Sequence, residues 1–179
     1  MIESISTSLN ALHKQFEEQV VSDNKKFQIQ SIYLPNPTFT INPRTCLVAM
    51  EPSLGRMSSE EFQVWVNRGF KNFLLSEGDF ILHYCAFHFL CNNSFDYQIT
   101  DISKGAMTTK LANQQRKDRY SCWMDLLKLE LEFLGKPKII AVGSVTKNFL
   151  QDIGWQLQGS ILHYSQTIPG DSVIIMSNI

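Results

Sequence analysis

What this sequence most clearly lacks is an excess of either charge: sixteen Lys and Arg against seventeen Asp and Glu in 179 residues give a formal net charge of −1. No global field pulls such a chain toward phosphate or a membrane surface, so any contact with nucleic acid must come from a local patch. Cysteine is sparse as well. Cys46, Cys85, Cys91 and Cys122 form no Cys-x-x-Cys pair and no paired metal spacing, which suits reduced, mostly buried thiols of a cytosolic protein. No apolar run approaches a membrane span, and the N-terminus lacks the basic flank and apolar core of a secretion signal, so the cytoplasm is the expected location. There is no internal repeat, no low-complexity tract and no phosphate-loop or dinucleotide glycine pattern.

What is present is a chain that is 44% apolar and 18% charged, long enough for one domain with a real core. Its organising stretch is residues 45–55, Thr-Cys-Leu-Val-Ala-Met-Glu-Pro-Ser-Leu-Gly. Cys46 to Met50 run without polar alternation, as in a central strand covered on both faces. Glu51 follows at the carboxyl end, where Pro52 biases it toward an extended conformation and Ser53, Leu54 and Gly55 supply turn chemistry. Ligands of open α/β sheets sit beyond the carboxyl ends of strands, so Glu51 is a site candidate; the alternative is a solvated or capping carboxylate.

Before this stretch, Ile2, Ile5, Leu9, Leu12, Phe16 and Val20 recur at steps of three and four, which predicts an amphipathic helix that ends at the polar run 22–26. His13 is expected on its polar face, with no part in catalysis. Residues 34–44, punctuated by Pro35, Pro37 and Pro43, form an extended approach. After the central strand, Ser58 to Glu61 start a helix whose apolar stripe is Phe62, Trp65, Val66, Phe70, Phe73 and Leu74. Residues 80–87 follow a Glu-Gly-Asp turn and fit either a strand or a buried helix; His83 and His88, five apart, are read as separate residues rather than paired ligands.

Residues 95–105 contain a second strand that delivers an acid, Asp101, to its end, with Lys104 just beyond; an ion pair or a helix cap accounts for these two as well as a site does. Residues 110–119 hold the one dense basic run, Lys110, Arg116, Lys117 and Arg119, read as a loop that either meets phosphates or is merely solvated. A helix over 120–134 stops at Gly135-Lys136-Pro137, and 138–150 form a strand, a small-residue turn at Gly143-Ser144 and a helix. The Gly143-Ser144 turn either presents backbone N–H groups to an anion or simply packs tightly. A last strand over 159–165 runs into His163. Helices alternating with buried strands predict a three-layer α/β/α sandwich with a short, mostly parallel central sheet, in a single domain over 1–179: an N-terminal helix and extended approach over 1–44, and a core over 45–165.

Three strand ends thus carry Glu51-Pro52, Asp101 and His163-Tyr164-Ser165, in that order, with the 138–150 unit between the second and third. That order, over residues 45–165, resembles the uracil-DNA glycosylase superfamily. The resemblance implies a DNA-repair hydrolase that cleaves the N-glycosidic bond of a flipped base without a cofactor, with DNA as its partner. In its terms Ala49-Met50-Glu51-Pro52-Ser53 is the loop that positions the attacking water, Glu51 standing where asparagine or aspartate is usual. Met50, Pro52 and Ser53 line the substrate there. A carboxylate suits water activation and an oxocarbenium-like sugar.

Asp101 matches the asparagine that pairs with uracil. Ionised, it accepts but cannot donate, so it favours a base with donors on that edge unless it is protonated. His163 would donate to the departing base and Ser165 completes the motif. Ile168 is the nearest apolar wedge, and Lys104, Lys110, Arg116, Lys117 and Arg119 would meet phosphates. The cysteine spacing does not match the iron–sulfur branches, so neither metal nor cluster is expected. The alternative is a glycosylase-fold protein that binds nucleic acid or a nucleotide-like ligand without cleaving it; a third possibility is a small-molecule hydrolase.

Overall fold

A computed structural model describes residues 2–38, 40–74 and 76–163. They form α1 (Ile2–Phe27), β1 (Ile32–Tyr33), β2 (Thr45–Ala49), α2 (Ser59–Asn67), α3 (Glu77–Cys85) continued by a π-helical turn (Ala86–Leu90), β3 (Tyr97–Asp101), β4 (Gly105–Ala106), α4 (Thr109–Ala112), α5 (Arg116–Phe133), β5 (Lys138–Val142), α6 (Ser144–Asp152) and β6 (Gly159–Ile161). Two compact units are distinguished. The first comprises the described residues of Met1–Pro35, Glu51–Lys71 and Ile102–Glu130, the second those of Asn36–Met50, Asn72–Asp101 and Leu131–Ile179.

The second unit holds a four-stranded sheet in the order β3-β2-β5-β6, parallel throughout, with Ala49 in register with Asp101, Val48 with Ala141 and Val142 with Ile161. All five residues of β2 are buried, as a continuous apolar run requires of a central parallel strand. Leu47, Ala49, Ile99, Ile140, Val142 and Ile161 share a core with Leu82 and Ala86 of the α3 segment. The mixed α/β class with a parallel central sheet is as the alternating pattern predicts. The connection from β2 leads to β3 on one side, and the chain then returns past β2 to β5 and β6. The topological switch point therefore lies between β2 and β5, where ligands of open α/β sheets sit.

The first unit packs α1, α2, α4 and most of α5 with a small antiparallel pair, β1 with β4. Leu34, Leu54, Phe62 and Ala106 form one of its cores, and Ile29, Met107 and Ala112 another. Gly105 has no room for a side chain: a Cβ there would lie 2.8 Å from Ser31 Oγ.

Several local boundaries differ from the sequence reading. Helix α1 continues through the polar run 22–26 to Phe27, because two of those polar residues turn inward. Asp23 accepts from Trp123 Nε1 at 2.6 Å and Gln19 Nε2 at 2.7 Å, and the Asn24 amide bonds both backbone groups of Ser31. The stop is Gln28 at φ 53°, a left-handed residue without the glycine that marks such positions. His13 is half-buried rather than on a polar face, and its Nδ1 meets the Tyr33 hydroxyl.

The aromatic stripe after Ser58 is not one helix. The Ser58–Glu61 capping box starts α2 as expected, but Gly69, at φ 89°, ends it, and Phe70 folds back edge-on against Trp65 and Phe62. Of the two options for 80–87 the helix is correct. Glu77-Gly78-Asp79 is its first turn rather than a preceding turn, fixed by a second capping box between Ser76 and Asp79. The run 110–119 is largely helical, α4 and the start of α5 meeting at Gln115 with φ 45°.

His83 and His88 are separate, as expected. His83 Nε2 donates to Phe73 O and its Nδ1 accepts from the Tyr97 hydroxyl, both at 2.9 Å, while His88 meets Asn93. All four cysteines are thiols, three of them buried. Among the described residues no helix is long and apolar enough to cross a membrane.

Burial holds the imidazoles of His13, His83 and His163 below their ordinary 6.5. The unfolded chain therefore binds protons that the folded chain refuses. The stability this contributes is complete above about pH 6.5 and is lost as pH falls through the lower folded values. The urea midpoint should fall as pH drops from about 7 to about 5; a flat or rising midpoint over that range would contradict the burial of these rings.

Candidate active site

Pro52 and Leu54 explain why Glu51 is fixed. Met107 N donates to Pro52 O at 3.3 Å and Leu54 N donates to Met107 O at 3.1 Å, with Ser53 bridged to Met107 between them. The loop is thereby tied down on both sides of Ser53, whose hydroxyl accepts from Gly55 N at 3.1 Å and so serves the turn. The Glu51 carboxylate, 4% exposed, accepts from Arg116 Nη2 at 3.0 Å through Oε1 and from the Tyr120 hydroxyl through Oε2. Arg116 and Tyr120 are four apart at the start of α5 and share one helix face. Burial, and next the carboxylate beside it, push the Tyr120 phenol well above the ordinary tyrosine range. Tyr120 is therefore a neutral donor. The result is a buried carboxylate with one cationic and one neutral donor, aimed by residues of a single unit.

In the second unit Asp101 ends β3 and is 1% exposed. Asn72 Nδ2 donates to Asp101 Oδ2 and to Asn36 Oδ1, and Asn36 Nδ2 donates to Thr100 Oγ1 at 3.0 Å. Both hydrogens of the Asn72 amide are thus used, one of them on Asp101 Oδ2.

His163 follows β6 by two residues, half-buried and held neutral by that burial. It lies against Gly143, the residue that ends β5 and opens α6: a Cβ at Gly143 would stand 3.2 Å from His163 Cβ. Strands β3 and β6 are the two edges of the sheet, three strand spacings or roughly 14 Å apart. By packing on Gly143, His163 reaches inward over the end of β5, and Asp101 is in register with Ala49 of β2. Met50, the next residue after Ala49, is half-buried. Gly143 at φ 86° suits only glycine, and the ring fills the space besides. Gly143→Ala should cost about 1–2 kcal/mol; an unchanged urea midpoint would contradict this packing.

The expected phosphate contacts divide. Lys110 and Lys117 are exposed and Arg116 is half-buried. Lys104 and Arg119 are corrected to interior residues. Lys104, 1% exposed, pairs with Glu130 at 2.8 Å and lies over the Phe16 ring. Arg119 is fully buried and donates to the Ala112 and Gln114 carbonyls. Neither side chain can reach a phosphate from there. Tyr164, Ser165 and Ile168 lie outside the described residues.

Sequence reasoning missed Tyr120, Asn72 and Asn36. Tyr120 carries one signal, its spacing of four from Arg116; the two asparagines carry none. Among the described residues no group of three or more His, Cys, Asp or Glu side chains is placed to hold a metal ion. No protein-family model matches the sequence, and no curated protein is significantly similar to it.

Proposed function

We propose that this protein is a DNA glycosylase-like hydrolase of the cytoplasm that releases a flipped, damaged or deaminated base. The observation that carries the reading is the Glu51 carboxylate: buried, fixed by Arg116 and Tyr120, and two residues beyond a central parallel strand. In this role Glu51 takes a proton from the attacking water and offsets the positive charge that develops on the sugar.

A second reading, binding without cleavage, is favoured by the same carboxylate, since both its oxygens already accept from protein donors. The two part in one assay: formation of abasic sites in labelled oligonucleotides carrying uracil, hypoxanthine, xanthine or alkylated bases. Cleavage of any one identifies the enzyme and its base; retention of DNA without abasic product identifies the binding protein.

A further inference from the structure

Arg116 contacts Glu51 but is not enclosed with it. Its side chain is 21% exposed against 4% for Glu51. A guanidinium carries five N–H groups in a planar fork. Among the described residues, Nε–H goes to Ala112 O at 3.1 Å and one Nη2 hydrogen goes to Glu51 Oε1 at 3.0 Å. Nη1 and the remaining Nη2 hydrogen are open to a further acceptor. Lys110 and Lys117, exposed on the same stretch of chain, add charge of the same sign.

We propose that Arg116 is a switch between Glu51 and a phosphate of the bound nucleic acid. In the protein alone it neutralises the carboxylate. A backbone phosphate, whose oxygens fit the guanidinium fork as well as a carboxylate does, competes for it and weakens its hold on Oε1. Glu51 then has an oxygen available to take a proton from water, with Tyr120 still aiming the other. Arg116 is thus a positioning residue whose position depends on substrate, and the base is unmasked when a strand is seated. The inference rests on the reading of Glu51 as the base, but its physical content is a competition between two anions for one cation, measurable by binding alone.

The experiment compares the affinity of a labelled single-stranded oligonucleotide at low salt for the wild-type protein, Glu51→Gln, Arg116→Gln and the double variant, with inorganic phosphate as a second probe. Removing the competing carboxylate should tighten oligonucleotide binding about threefold to tenfold when Arg116 is present. In the Arg116→Gln background the same change should have less than about a twofold effect, which excludes a general gain from losing one negative charge. Equal gains in both backgrounds, or none in either, would overturn the proposal.

Should Arg116→Gln not fold, the Arg116 Nε–H resonance of the wild-type protein serves instead. It moves as oligonucleotide is added if the switch operates, and a resonance unmoved at saturation overturns it. A response to inorganic phosphate alone assigns the site to the free anion rather than to a strand. Coupling without base release from any strand leaves the switch standing and removes the enzyme. Base release that depends on Glu51, without coupling, does the reverse.

Discussion

Glu51→Gln should lower base release by about a hundredfold to ten-thousandfold, the range attributable to a general base, while leaving the unfolding transition close to that of the wild type. The substitution is nearly isosteric. The amide oxygen still accepts from Arg116 or Tyr120, so the loop keeps its ties to Met107 at Pro52 and Leu54. What is lost is the negative charge and the basicity, neither of which the backbone requires. A variant that unfolded early would make Glu51 a structural anchor, and one that released base at the wild-type rate would remove it from the chemistry. Tyr120→Phe is a milder companion. It deletes one donor without changing charge, and should reduce turnover more than substrate affinity, because it alters the aim of Glu51 and not the surface that meets the strand.

The second large effect is on stability. Lys104 and Glu130 form an ion pair with side chains 1% and 10% exposed, so replacing either partner alone strands a charge away from water. Lys104→Met should cost about 3–5 kcal/mol, read as a fall in the urea midpoint. Lys104→Met combined with Glu130→Leu should cost less than the single change, because the desolvated carboxylate is gone as well. If the double variant is as unstable as the sum of the two singles, the pair contributes nothing to their joint cost and the two sites act independently. The same burial explains why a lysine read as a phosphate contact is not one: the Lys104 chain lies over the Phe16 ring and ends on Glu130.

The main elements of the sheet were legible in the sequence because each is dictated locally. The unbroken apolar runs around Leu47 and Ile140 leave no exposed face, and the polar residues that follow them end the strands. Glycine marked the stop after α5, with Gly135 at φ 81°, whereas Gln28, Phe73 and Gln115 take the same left-handed conformation with side chains that do not advertise it. That is why the end of α1 was placed too early and the basic run, which is largely helical, was read as a loop. Within the site, Glu51 and Asp101 announced themselves as acids at strand ends. Their partners did not. Tyr120 reads as an ordinary helix residue, and Asn72 bonds Asp101 across a separation of 29 residues, which no periodicity records. His13 was placed on the polar face and Asp23 in a polar run that ends α1, because a polar residue turned inward looks the same in sequence as one turned outward; their partners, Tyr33 and Trp123, lie far along the chain.

The most direct measurement is a single-turnover reaction, with protein in excess over the oligonucleotide it binds most tightly, in which free base and alkali-labile abasic strand are quantified together. Equal amounts of the two are expected from the wild-type protein, and neither from Glu51→Gln within the same time. Oligonucleotide that stays bound and intact in the wild-type reaction, for every base offered, would contradict this and leave a protein that holds nucleic acid without cutting the glycosidic bond.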